Sequence, residues 1–247
     1  MEENLREILL GGQTFSWREV EEGVFKAALN DKVYTVSSLD DAKEDAYLRR
    51  YFDLDYDYDK IRKEIASKDP ILKEAVEMTG PIRLLKQDEW IATISFILSQ
   101  NNNIKRITGL YNRLSSRYGH KIEDGWHSFP TPEEMSGATE EDLRSLGVGF
   151  RAPFILDAID KASILKEIPS LGFESAMEKL QSIKGIGPKV ASCILIYGFG
   201  RREGFPLDVW MKKVMAKYYP DKTPDYFAPN QALSQQYLFS WIREKEL

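Results

Sequence analysis

The sequence predicts an α+β fold, mainly α, with a small antiparallel β-containing N-terminal unit on a helical body. Three observations predict it. Strand-forming runs crowd into residues 13–38, helical spacing takes over after Ser38 and persists, and 43% hydrophobic residues in a 247-residue chain supply a core.

Taken in order, QTFSW, GVFKAAL and KVYTVSS are rich in β-branched and aromatic residues. Glu21-Glu22-Gly23 and Asn30-Asp31 are turn signals between them, so the segment reads as a three-stranded antiparallel meander. Asp40 is the expected cap of a helix through about Phe52, and another helix is expected near Tyr58–Ser67. Pro70 opens one that ends at Gly80-Pro81. Asp88 caps EWIATISFILSQ, which is apolar almost all round and therefore central. Asn101-Asn102-Asn103 breaks that helix, because short amides compete for backbone hydrogen bonds, and Asn103 is the expected cap of the next, through Tyr118. Helices are then expected near 132–136, 139–146, 150–166, 174–183, 188–199, 209–219 and 231–246. The order suggests three units: 1–85, 86–178 and 179–247.

Composition excludes several function classes. The single cysteine, Cys193, cannot build a disulfide framework or a four-cysteine zinc or iron–sulfur site, and two histidines leave little for a histidine metal site. No metal and no cofactor is expected. No run of 18 apolar residues offers a membrane span. MEENLREILL carries acids where an export signal needs bases, so a reducing cytoplasm, nucleoid-associated, is the expected location. Net charge is −5, yet residues 181–247 hold ten basic and six acidic side chains, +4 on an acidic body. A partner with phosphates would dock there, because the local field outweighs the total. An ordinary surface asymmetry explains the same numbers about equally well.

The most informative stretch is Leu180–Tyr219. Two amphipathic helices are joined by Lys184-Gly185-Ile186-Gly187-Pro188. Two glycines two apart permit a tight turn, and their amides with the following helix start can bind a phosphate. A lone Gly-x-Gly is most often a plain helix–helix turn, but two neighbours sharpen the reading. Lys189 lies in the first helical turn, where the positive end of the dipole disfavours an ammonium and favours a neutral amine nucleophile. Cys193, four residues on, shares its face. Asp208 precedes the helix starting at Val209. It is either a plain N-cap or a carboxylate placed to stabilise positive charge developing on a sugar.

The hairpin, Lys189 and Asp208 resemble the helix–hairpin–helix DNA glycosylase superfamily, and the lysine resembles that of its bifunctional glycosylase/lyases. Seven segments in family order are similar to 8-oxoguanine DNA glycosylases: GGQTFSW at 11–17, IRLLKQDEW at 82–90, SQNNNIKRITGL at 99–110, LRSLGVGFRA at 143–152, KVASC at 189–193, PLDVWM at 206–211 and QQYLFS at 235–240. The resemblance implies base excision from duplex DNA containing 8-oxoguanine, by a monomer, with strand nicking through a lysine Schiff base. Lys189 would attack C1′ of a flipped nucleotide and Asp208 would stabilise the oxocarbenium-like charge. The Gly12 carbonyl would accept the lesion's N7–H, a contact that the lone pair on guanine N7 repels. Gln235 would read the Watson–Crick edge, with Phe239 and Cys193 on the two faces of the base. Asn101, Arg106 and Arg151 would meet the orphaned cytosine, and Phe150 would wedge into the gap. Lys184, Gly185, Gly187, Trp210 and Lys212 would meet the DNA backbone.

Without the resemblance, Phe239 reads as core and Arg106 and Arg151 as solvated helix charges. Departures from the family are Trp210 for a phosphate-contacting histidine, Tyr197 for a methionine, Phe150 for a tyrosine and an abbreviated N-terminal domain. They suggest a prokaryotic-type member and leave the strictness of opposite-cytosine selection open. A glycosylase for another damaged or mismatched base, and a non-catalytic DNA-binding protein, are the competing readings.

Overall fold

The computed structural model describes residues 3–246. It opens with a helix absent from the sequence reading, α1 (Leu5–Leu10), capped by the Asn4 side chain on the Glu7 N–H. Leu5, Ile8 and Leu9 bury one face of it, the i, i+3, i+4 pattern of an amphipathic helix too short to stand alone. The expected meander follows: β1 (Trp17–Glu21), β2 (Val24–Leu29) and β3 (Lys32–Val36), antiparallel and adjacent in that order. Trp17 pairs across the strands with Ala27, and its indole N–H donates to Tyr51 Oη at 3.0 Å.

Asp40 does not cap a helix running to Phe52. Leu39–Ala42 is a 3-10 turn closed by a capping box between Ser38 and Asp41. The chain then restarts as α2 (Ala46–Tyr51) from Asp45, whose carboxylate accepts from the Tyr47 and Leu48 N–H groups. Two good caps in one acidic stretch divide what periodicity alone joins. Next come α3 (Tyr58–Lys68) and α4 (Pro70–Thr79), with Asp69 capping the second. Asp88 and Asn103 cap α5 (Glu89–Ser99) and α6 (Ile104–Tyr118) as expected.

A small hairpin, β4 (Lys121–Glu123) and β5 (Trp126–His127), was not expected, although Asp124-Gly125 is its turn signal. Residues 132–136 form turns rather than a helix. Thr131 and Glu134 exchange the reciprocal bonds of a capping box, but Gly137 follows before a helix can propagate. After α7 (Glu140–Ser145), the helix expected over 150–166 divides into a 3-10 turn at Gly149–Arg151, α8 (Ala152–Asp160) and a second 3-10 turn at Ala162–Lys166. The last four helices are α9 (Phe173–Gln181), α10 (Pro188–Tyr197), α11 (Val209–Tyr218) and α12 (Gln231–Glu246).

One continuous apolar cluster joins the sheet to the helices. Its centre is α5, buried from Ala92 to Leu98, with α6, α8 and α10 packed around it. Each fully buried Leu or Ile there contributes about 1.5–3 kcal/mol. The C-terminal α12 packs on α11 and back on α4, and its Ser240 and Arg243 bond to Glu7 and the Gly11 carbonyl, so the two ends of the described chain meet. Among the described residues no helix is long and apolar enough to cross a membrane.

Candidate active site and DNA-facing surface

The α9–α10 hairpin is anchored from beneath by α8. Gly185 has φ +80°, and a Cβ there would lie 2.3 Å from the Phe154 ring, so the turn needs both the left-handed backbone and the missing side chain. The Lys184 N–H donates to Asp157 Oδ2 at 2.6 Å, and Lys161 bridges Asp157 and the Ser182 carbonyl at 2.8 Å each. Gly187 then caps α10 without a side chain, Pro188 needs no N–H, and nothing lies within 4 Å of where a Gly187 Cβ would stand. The start of α10 is therefore open on its Gly187 side, as an anion site at a helix start requires. The Lys184 side chain is exposed beside it.

Lys189 enters from the first turn of α10. Its Nζ lies 3.4 Å from Ser99 Oγ and 5.7 Å from the Phe96 ring centroid, both on α5. Cys193 is buried one turn further along α10. Burial pushes its thiol up, the Lys189 charge opposes that, and the Asp208 charge adds to it. Lys189 and Asp208 therefore both lie within electrostatic reach of the Cys193 thiol. Asp208 is also a true N-cap: Oδ1 accepts from the Met211 N–H at 2.8 Å, and Oδ2 takes no hydrogen bond among the described residues. The loop carrying it is pressed onto α10 at Gly204, where a Cβ would fall 2.6 Å from Ile196. Beside it Val209 is 71% exposed, an apolar residue left facing outward at the site's edge.

Residues far apart in sequence form a second cluster. Gly12 has φ +105°, and the space of its missing Cβ is bounded by Ile104 at 3.4 Å and Phe239 at 3.7 Å. Arg243 was not picked out from the sequence. Its Nη1 donates to the Gly11 carbonyl at 2.7 Å and its guanidinium lies 5.0 Å from the Phe239 ring centroid, which fixes the Gly11-Gly12 turn against α12. Gln13 completes the fixing: its Nε2 donates to the Arg83 carbonyl and its Oε1 accepts from the Leu85 N–H. Gln235 is buried on α12, one turn before Phe239, and makes no hydrogen bond to another described residue. Phe239 is half-buried rather than plain core.

A third corner gathers Asn101, Arg106, Phe150 and Arg151. Asn101 is exposed with φ +47°, Arg106 is exposed, and Phe150 is 48% exposed with its ring edge-on to Phe154. Arg151 departs from the solvated-charge reading: it is 2% exposed. Its guanidinium holds the Gln100, Asn101 and Val148 carbonyls, with Nε–O of 3.0 Å to Gln100, and lies 4.4 Å from the Phe150 ring centroid. Burial and the charge of Arg106 lower its basicity, and carbonyl acceptors offset that cost. Further along, Lys212 is exposed on α11 and half-buried Trp210 carries the Lys213 ammonium 4.7 Å from its ring centroid.

Fold and site together define a class. Residues 94–236 match the family described as HhH-GPD superfamily base excision DNA repair protein, and the chain belongs to it. Residues 1–92 match a narrower description, 8-oxoguanine DNA glycosylase, N-terminal domain. An 8-oxoguanine glycosylase/lyase from Clostridium acetobutylicum, solved with double-stranded DNA containing cytosine opposite 8-oxoguanine, superposes with a TM-score of 0.90 at 32% identity, covering 100% of this chain and 94% of that one. A probable N-glycosylase/DNA lyase of Methanothermobacter thermautotrophicus is 30% identical over 69% of this chain and 62% of its own length. The N-glycosylase/DNA lyase of Saccharomyces cerevisiae is 40% identical over 56% of this chain and 42% of its own length. The matched region thus spans from about two fifths to three fifths of these curated relatives.

Proposed function

We propose that the protein excises 8-oxoguanine from duplex DNA and nicks the resulting abasic strand. One observation carries the reading: a lysine amine, a buried thiol and an aspartate carboxylate converge beside a hairpin whose helix start is open to a phosphate. In this reading the neutral Lys189 amine gives its lone pair to C1′ of an extruded nucleotide. The C1′–N9 bond breaks, and the base leaves with its electrons and takes up a proton. Asp208 Oδ2 faces the positive charge that grows on the sugar, a contact that strengthens toward the transition state. The ring-opened Schiff base loses a proton from C2′, and the 3′-phosphate departs by elimination.

The Gly12 carbonyl serves as acceptor for the lesion's N7–H, Phe239 and Cys193 flank the base, and Gln235 supplies an amide for its edge. Asn101 and Arg106 face the estranged cytosine, and Phe150 fills the gap. Arg151 serves this corner indirectly, by holding the Asn101 loop. Lys184, the Gly185 and Gly187 amides, Trp210 and Lys212 engage phosphates. The reading includes a monomeric protein on DNA in the cytoplasm, and a division of labour among units 1–85, 86–178 and 179–247.

The test is single-turnover excision and borohydride trapping on duplexes carrying 8-oxoguanine opposite each of the four bases. Excision with covalent trapping supports the reading. Trapping on abasic DNA without excision of 8-oxoguanine would reassign the base, and tight binding with no covalent adduct would leave a DNA-binding protein.

A further inference from the structure

The Lys189 amine does not rest against its own helix alone; it reaches across to the last turn of α5, where Ser99 Oγ is its hydrogen-bond partner at 3.4 Å. The Ser99 hydroxyl has already given its proton to the Phe96 carbonyl at 2.8 Å. It therefore presents lone pairs, and the lysine must be the donor. Accepting one N–H restricts rotation about the Cε–Nζ bond, and so limits where the lone pair of a neutral amine can point. The Phe96 ring, 5.7 Å away, closes a second side.

Ser99 is also the last residue of α5 before the Asn101 corner. The next two carbonyls, of Gln100 and Asn101, are held by the Arg151 guanidinium, which in turn lies against Phe150. Asn101 and Phe150 are thus joined, through the Arg151 guanidinium, to carbonyls one and two residues from the hydroxyl holding the amine.

We propose that Ser99 is a positioning residue for the Lys189 amine, and that through it the identity of the opposite base is expressed in the chemical step as well as in binding. This rests on Lys189 being the nucleophile. Serine to alanine at a helix end does not threaten the fold, since alanine is the better helix former.

The experiment compares the full chain with Ser99→Ala, Ser99→Thr, Asn101→Gly and the Ser99→Ala/Asn101→Gly double variant. Readouts are single-turnover excision opposite cytosine and adenine, duplex affinity and melting temperature, plus borohydride trapping on a pre-formed abasic duplex. Ser99→Ala is expected to slow excision and abasic trapping about tenfold, the size of one lost orienting hydrogen bond, with affinity and melting temperature unchanged. Ser99→Thr restores the rate, the cytosine-to-adenine rate ratio shrinks in Ser99→Ala, and the double variant is non-additive. A wild-type rate in Ser99→Ala, a threonine variant no better than alanine, or an additive cycle overturns the proposal. Trapping that survives in Lys189→Gln would instead remove the nucleophile assignment on which it stands.

Discussion

At the scale of single residues, the site separates chemistry from capping and strain. Lys189→Gln keeps a polar side chain one bond shorter and replaces the nucleophilic amine with an amide. Excision and borohydride trapping should be lost, while a gel or anisotropy titration on damaged duplex still reads near wild-type affinity. Asp208 has two jobs, and one substitution divides them. Asparagine caps a helix about as well as aspartate, so Asp208→Asn should keep the bond to the Met211 N–H and leave the melting temperature within a few degrees. The charge facing the sugar is gone, and single-turnover excision should fall by roughly 10²–10³-fold, the scale seen when one transition-state electrostatic contact is removed. A melting temperature that collapses while the folded fraction stays fully active would make Asp208 a cap only. Asn101 adopts left-handed backbone at φ +47°, which asparagine tolerates and alanine does not. Asn101→Gly is therefore the clean deletion of its amide, and it should lower preference for cytosine opposite the lesion without unfolding the loop.

At the scale of elements, the hairpin predicts opposite behaviour for its two glycines. Gly185→Ala meets the Phe154 ring at 2.3 Å in a backbone region that disfavours any Cβ. It should cost about 1–3 kcal/mol of stability by urea titration and weaken DNA binding with it. Gly187→Ala has space and an extended backbone at φ −95°, so the fold should lose only the small cap difference of about 0.5–1 kcal/mol. Its new methyl would stand where a phosphate approaches, so binding should weaken more than stability. If both variants lose stability equally, the open face of Gly187 is not a docking surface. The pairing of α8 with the hairpin, through Phe154 and Asp157, was not visible in the sequence. Phe154 is one of several apolar residues on that helix and Asp157 one of two aspartates, and only the packing puts them under the turn.

At the scale of the whole molecule, charge and closure decide function together. Net charge is −5, yet Lys184, Lys212, Lys213 and Lys217 belong to the +4 tract that carries the hairpin and α11. Binding should fall steeply with salt, with a slope of about −0.9 in log K against log salt for each phosphate neutralised. Lys212→Ala with Lys213→Ala should weaken damaged and undamaged duplexes alike, since phosphates carry no sequence information. Equilibrium titrations over a salt series check this; a pair whose removal harms only the damaged duplex would place these lysines on the lesion.

The sequence by itself determined the class of fold, most caps, the hairpin, the lysine and the aspartate. Each is a local statement: Asn103 before an amphipathic run, Pro188 at a helix start, and Gly-x-Gly between two helices are legible within a few residues, because capping and periodicity act over one or two turns. The same locality explains the errors. A capping box at Thr131 and Glu134 looks like a helix start until the chain fails to propagate, and the acidic stretch after Ser38 hides two caps in one. Tertiary structure alone decided that Gly12 meets Phe239 across the length of the chain, that Arg243 fixes the Gly11 carbonyl, that Ser99 accepts from Lys189, and that Arg151 is buried among carbonyls. Those contacts come from α12 folding back on α4 and from α5 threading the core, and long-range packing of this kind leaves no period in the sequence.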